Sequence, residues 1–245
     1  MATAGVLSLL LFALLAYLLA GLAQAVSGFG SALIAVPILA LTLGPTDAVV
    51  SVTMVSLALS GWAAIRERDH VDVPIARRMS IAGIIGMPLG LLLLLRASAG
   101  QLQVLMAITV LAALILVASR VRAPHGWLTG WATGLLGGAL LTATGMNGPP
   151  LVLGVTAQGP EPRRFRGTLQ VIFAVHDLFA VIGFVVLAQV SGTALAAAGV
   201  GLLAAPIGWL LGDRLFHRIP EAVFHRVVIA GLAASALMLL IAQIS

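Results

Sequence analysis

The chain has 245 residues, 61% of them hydrophobic and 9% charged, with a mean hydropathy of +1.15. A soluble domain carries about 25% charged residues, so the composition excludes a soluble fold and leaves no room for a sizeable domain outside the membrane. Net charge is +5, every basic residue is Arg, and there is no Cys, which removes disulfides, thiolate metal sites and cysteine nucleophiles.

In chain order, the first apolar run spans about 5–26. Ala23-Gln24-Ala25 fits a cleavage pattern, but MATAGVLS lacks the positive n-region of a secretory signal, so this run reads as a retained helix. Ser27-Gly28-Phe29-Gly30-Ser31 weakens it, and a piece near 32–43, too short for a comfortable span, ends at Gly44-Pro45. Thr46 or Asp47 is placed to cap the next helix. Spans are expected at about 46–66, 75–95 and 101–119, with the most polar loop between Arg66 and Arg78. After a polar hinge at 120–126 the pattern restarts: a helix at 127–144, a Gly/Pro break at 145–150 and a short piece at 151–158. Gly159-Pro160-Glu161-Pro162 turns the chain, and spans follow at about 167–190, 193–211 and 222–244.

Shifting the second half back by 117 positions lays Gly138 on Gly21, Thr144 on Ser27, Gly145 on Gly28, Pro162 on Pro45 and Thr168 on Ser51. One ungapped offset matches both breaks and both turns. It divides the chain into repeats 1–120 and 121–245, each a broken-helix hairpin (5–43 or 127–158) plus three spans. The fold class is therefore an all-α polytopic membrane protein with two inverted repeats. If each hairpin returns to its own side, twelve of the Arg residues share one side and only Arg96 lies opposite. The positive-inside rule makes the shared side cytoplasmic and puts both termini outside. Cytoplasmic loops thus account for the basic excess, with no nucleic-acid partner. Inverted repeats with discontinuous helices are a transporter plan.

The pairing of SGFGSALIAVPILALTLGP (27–45) with TGMNGPPLVLGVTAQGP (144–160) resembles the twin Gly-rich signature of the TauE/SafE family, the sulfite/organosulfonate exporters and toluenesulfonate-uptake permeases. The resemblance covers essentially the whole chain. The first motif has fewer glycines than the family's usual run, and Asn147 precedes Gly148-Pro149-Pro150 in the second. The resemblance implies movement of a small anion, often sulfur-containing, across a bacterial inner membrane, driven by an ion gradient.

The short pieces beginning near Ser31 and Pro149 would bring two helix N-termini towards mid-membrane. A helix N-terminus carries about half a positive charge and free N–H groups, so two facing ends make an anion site without buried Arg. The expected substrate-binding residues are Ser27, Gly28, Gly30, Ser31, Thr144, Gly145, Asn147, Gly148 and Pro149. The competing reading is that they only satisfy freed backbone groups or permit close packing. His176 and Asp177 form an ionisable pair deep in a span. A charge at the bilayer centre costs roughly 2.5–3.5 kcal/mol on insertion scales, which marks the pair for proton coupling, against a purely structural pairing. Ser51, Thr168 and Gln170 are secondary candidates, with Thr53, Ser56 and Ser60 reading as interhelical hydrogen-bonding partners. Asp47, Asp72, Glu161 and Asp213 read as caps, and the remaining His residues show no metal-ligand spacing.

The leading expectation is a secondary transporter of a small anion, working by alternating access with H+ as coupling ion, in a bilayer and compatible with a homo-oligomer. A channel built on the same hairpins is the alternative. An intramembrane enzyme lacks its motifs, since there is no HExxH and no serine–histidine pairing. No cofactor or metal is expected.

Overall fold

A computed structural model of the chain describes residues 2–27, 31–119 and 123–216, together with 233, 237 and 238. Gly28, Gly30, Arg120, Arg122, Arg218, Arg226 and nearly all of the expected span at 222–244 lie outside the described residues.

Regular structure among the described residues is helical: α1 (Ala2–Ser27), α2 (Ser31–Leu43), α3 (Pro45–Arg66), α4 (Val73–Arg96), α5 (Ala99–Ser119), α6 (Trp127–Thr144), α7 (Gly148–Ala157), α8 (Pro162–Val186) and α9 (Gly192–Phe216), with one 3-10 turn at Arg68–His70. Five of these, α3, α4, α5, α8 and α9, contain stretches long and apolar enough to cross a membrane. At 1.5 Å per residue, the 13 residues of α2 and the 10 of α7 cannot cross a hydrocarbon core of about 30 Å. Large apolar side chains such as Ile85, Leu89, Ile108, Ile115 and Leu203 are exposed, an outer face suited to lipid. The protein is a multi-pass membrane protein.

The prolines start helices more often than they break them. α3 begins at Pro45 and α8 at Pro162, both in the first turn, where the missing N–H costs nothing. Consequently α8 starts five residues before the expected 167 and carries Arg163, Arg164 and Arg166 within the helix. Pro149 and Pro150 likewise lie in the first turn of α7, so the second break narrows to Gly145–Asn147. Thr46 and Asp47 do not cap α3: its N-cap is Gly44, with no side-chain cap. Asp47 instead accepts a hydrogen bond from Ser191 (2.7 Å), whose hydroxyl also accepts from the Ala194 N–H and so caps α9. Asp72 does cap α4, accepting from the Ile75 N–H (3.2 Å).

Close backbone approaches set the packing. α6 lies on α4 and α1 on α9, and between them α3 packs on α8, with α3 also on α9 and α8 also on α4. A Cβ added at Gly138 would overlap the carbonyl of Gly83 across the α4–α6 seam, and one at Gly21 would overlap that of Ala205 across the α1–α9 seam. Small residues at such seams let helices meet where lipid offers no hydrophobic drive. The α6–α7 pair closes as a hairpin, with Leu151 against Gly137. At its open end the Gln158 side chain donates to the Gly126 carbonyl (2.9 Å), and His125 Nδ1 lies 2.9 Å from the Ala157 carbonyl oxygen.

Candidate functional site

The second break is built by Gly145. Its left-handed backbone (φ 73°) ends α6, and its N–H returns to the Leu141 carbonyl (2.8 Å). Without a Cβ, glycine adopts this conformation at no steric cost. Residues 141–150 are all buried, so the reversal takes place inside the protein, as non-helical backbone in lipid requires. Asn147 occupies the N-cap position of α7, yet its side chain makes no capping bond. Its amide nitrogen is buried with no hydrogen-bond partner among the described residues.

Asn147 faces a cavity of about 20 Å³ lined by Gln24, Ser31, Ser56, Met146, Gly148 and Phe173, among others. Both breaks therefore contribute to one place: Gln24 and Ser31 flank the first, and Met146, Asn147 and Gly148 form the second. The Gln24 carbonyl oxygen is a second buried polar atom without a partner among the described residues, and Gln24 itself is 3% exposed. Sequence reasoning missed Gln24 as a site residue, because Ala23-Gln24-Ala25 drew attention only as a cleavage pattern. The available signal was an uncharged amide inside an apolar run, three residues before the break. A second, smaller cavity shares Ser31 and Ser56 and extends past Tyr17 and Val52 towards Leu59 and Ala205.

Ser56 connects the cavity to the ionisable pair. It donates to Asp177 Oδ2 at 2.7 Å, and Ser60 Oγ lies 3.0 Å from the same oxygen. Ser60 Oγ is also 2.5 Å from the Ser56 carbonyl, so its single proton has two acceptors. Asp177 is 1% exposed, its Oδ1 is without a partner among the described residues, and none of the ion pairs among them involves it. His176, fully buried, points the other way: its Nε2 donates to the Met79 carbonyl of α4 (3.2 Å), while Nδ1 is without a partner among the described residues. Gly83 makes room for this ring, since a Cβ there would overlap it. Consecutive residues thus join α8 to α4 through His176 and to α3 through Asp177.

Thr144, Ser51, Thr168, Gln170 and Pro149 are not among the described residues that line the cavity. The Thr144 hydroxyl donates to the Leu140 carbonyl (2.7 Å) and that of Ser51 to the Ala48 carbonyl (3.3 Å). Thr168 accepts from the Asp72 N–H (2.9 Å), tying the start of α8 to the cap of α4. Gln170 is buried in α8. Pro149 is buried in the first turn of α7. Ser27 ends α1, while Gly28 and Gly30 lie outside the described residues.

The family model described as "Sulfite exporter TauE/SafE" matches residues 13–239. A protein named "Probable sulfite/organosulfonate exporter TauE", from Cupriavidus necator, is 29% identical over 226 residues, which cover 88% of this chain and 88% of that protein. No solved structure matches.

Proposed function

Because the chain belongs to the TauE/SafE sulfite exporter family, a family of membrane transporters and not of enzymes, we propose that it exports sulfite or a small organosulfonate by proton-coupled alternating access. The observation that carries this reading is the convergence of both breaks on one cavity where two buried amides, Gln24 and Asn147, keep hydrogen-bonding atoms unpaired. A buried polar group without a partner costs free energy, and an oxyanion held against the Asn147 nitrogen, the Gly148 N–H (Pro149 and Pro150 have none) and the first N–H groups of α2 relieves that cost at Asn147. The cavity, at about 20 Å³, has room for about one water-sized probe, so loading a sulfur oxyanion requires the two hairpins to part. That requirement is the alternating-access step.

The proton path runs through Ser56, which lines the cavity and bonds to Asp177. When Ser60 donates to the Ser56 carbonyl, a protonated Asp177 supplies the proton for its own contact with Ser60. This hydrogen-bond count supports Asp177 as the proton carrier and His176 as the residue that fixes α8 against α4. The inverted repeat has support from the pairing of α1 with α9 and of α6 with α4, each hairpin packing on a span of the other half. We assign the protein to a bacterial inner membrane with the Arg-rich ends cytoplasmic and both termini outside.

Flux into liposomes tests the reading. Sulfite, a sulfonate and a carboxylate are compared with and without a pH gradient. Uphill, saturable, proton-linked flux of the sulfur anions is the expected result, and Asn147→Ala raises the half-saturating concentration about tenfold, the value of a lost hydrogen bond to a charged group of roughly 1.5 kcal/mol. Passive flux at the same rate in both conditions identifies a channel instead.

A further inference from the structure

The second cavity, of about 10 Å³, adjoins the central one through Ser31 and Ser56, which line both. The walls of the two differ in chemistry. The central cavity carries the side-chain amides of Gln24 and Asn147. The second is walled by Ala20, Ala35, Val52, Val55, Leu59 and Ala205, and apart from the two shared serines its polar side chain is that of Tyr17. This phenol is 1% exposed, and its hydroxyl has no hydrogen-bond partner among the described residues. Ser51 lies near it but donates to the Ala48 carbonyl (3.3 Å). The ring is held by packing: a Cβ added at Gly201 of α9 would overlap both it and Val55. A fixed, unpartnered hydroxyl in an apolar wall costs free energy unless something entering the cavity satisfies it.

The matching place in the other half is filled. Under the proposed repeat, Tyr17 corresponds to Gly134, Ala35 to Val152, Val52 to Leu169, Val55 to Ile172 and Ser56 to Phe173. In the last four pairs the second half carries the larger side chain. Leu169, Ile172 and Phe173 belong to one buried apolar cluster with Met79, and Val152 packs against it. The space beside Tyr17 is therefore made by four smaller side chains at stations that are bulky in the other half, with the one large polar side chain at its wall.

Two adjoining cavities of this kind match a ligand with three parts: an anionic head, a short carbon stem and a hydrogen-bonding end. We propose that the Tyr17 cavity is a subsite for the substituent of an organosulfonate. The sulfonate group lies at Asn147, the stem lies against Ala35 and Val55, and the polar end meets the Tyr17 hydroxyl. The proposal rests on the transport reading of the central cavity, and it makes a substituted sulfonate, not bare sulfite, the ligand that uses the whole site. Each cavity has room for about one water-sized probe, so the substituent is short. Because Ser31 of α2 lines both cavities, parting the hairpins enlarges them together.

Three probes with the same head group test this: methanesulfonate, ethanesulfonate and 2-hydroxyethanesulfonate. Their binding to the purified protein is read by titration calorimetry, and their flux in liposomes under a pH gradient. Ethanesulfonate is expected to bind about fourfold more tightly than methanesulfonate, the value of one buried carbon. 2-Hydroxyethanesulfonate is expected to bind about fivefold more tightly again, the value of one neutral hydrogen bond. Ala35→Val, which narrows the cavity, brings the first ratio near one. Tyr17→Phe brings the second near one while the first persists. Each result is a ratio of two ligands on the same protein, so a loss of folded material cancels. If Ala35→Val does not fold, Val55→Ile narrows the same space and gives the same result. Equal binding of all three probes overturns the subsite, as it would if a buried water satisfied the Tyr17 hydroxyl. So does a hydroxyl preference that survives Tyr17→Phe, or a chain-length preference that survives the narrowing. Uphill flux without discrimination removes the subsite and leaves the transport reading standing. Graded binding without flux removes the transport reading alone, and failure of all three probes to bind removes both.

Discussion

α3 and α8 are the two central helices, similar in length and packed on one another, and each also lies against a span of the opposite half. Their inward faces differ chemically. α3 presents Val52, Val55, Leu59 and the hydroxyls of Ser56 and Ser60; α8 presents His176 and Asp177. Asp177 and Ser60 are separated by 117 positions, the repeat offset itself, and their side chains touch. Under the proposed repeat, one place carries a carboxyl group in one half and a hydroxyl in the other. Of these two helices, α8 alone buries ionisable side chains among the described residues.

The first way to break this comparison is Asp177→Asn. It is expected to lower pH-gradient-driven flux by roughly 5–150-fold, the span of a coupling free energy of about 1–3 kcal/mol, with thermal stability in detergent little changed. Equal flux with and without the carboxyl would remove the proposed division of labour. The exchange of Ser60→Asp with Asp177→Ser moves the carboxyl across the seam by about one hydrogen-bond length; recovery of part of the lost flux relative to Asp177→Ser alone shows that location matters more than the helix that supplies it. Gly83→Ala is expected to destabilise by about 1–3 kcal/mol through overpacking against His176, seen as a lower melting temperature. Gly199→Ala, with open space around its Cα, is the neutral control. The smallest effect belongs to Ser56→Ala. The average interhelical hydrogen bond in a membrane protein is worth about 0.6 kcal/mol, so stability falls only slightly, while proton-linked flux falls more if Ser56 relays between cavity and Asp177.

Much of the architecture was legible because it depends on local chemistry. Apolar length identified the spans that form α3, α4, α5, α8 and α9, and Gly145 with Pro149 and Pro150 marked the second break. Helix bounds were less legible: α8 starts at Pro162 and not 167, α9 runs to Phe216 and not 211, and Asp47 bonds a distant Ser191 instead of capping α3. His176 and Asp177 stood out by charge alone. Gln24 did not, because one amide in an apolar helix acquires meaning only when Asn147, 123 positions later, is found across the same cavity.

By itself, the sequence determined that this chain is helical, lies in a membrane, is broken at Gly145–Asn147 and carries the ionisable pair His176–Asp177 within a span. Those properties follow from hydropathy, backbone restriction by Gly and Pro, and the cost of charge in lipid. Only the tertiary structure decided that Ser56 and Ser60 serve Asp177 while His176 serves Met79. The reason is physical. Which of two adjacent polar side chains meets which neighbour depends on where helices far apart in sequence come together, and α3 and α4 reach α8 only in the folded chain.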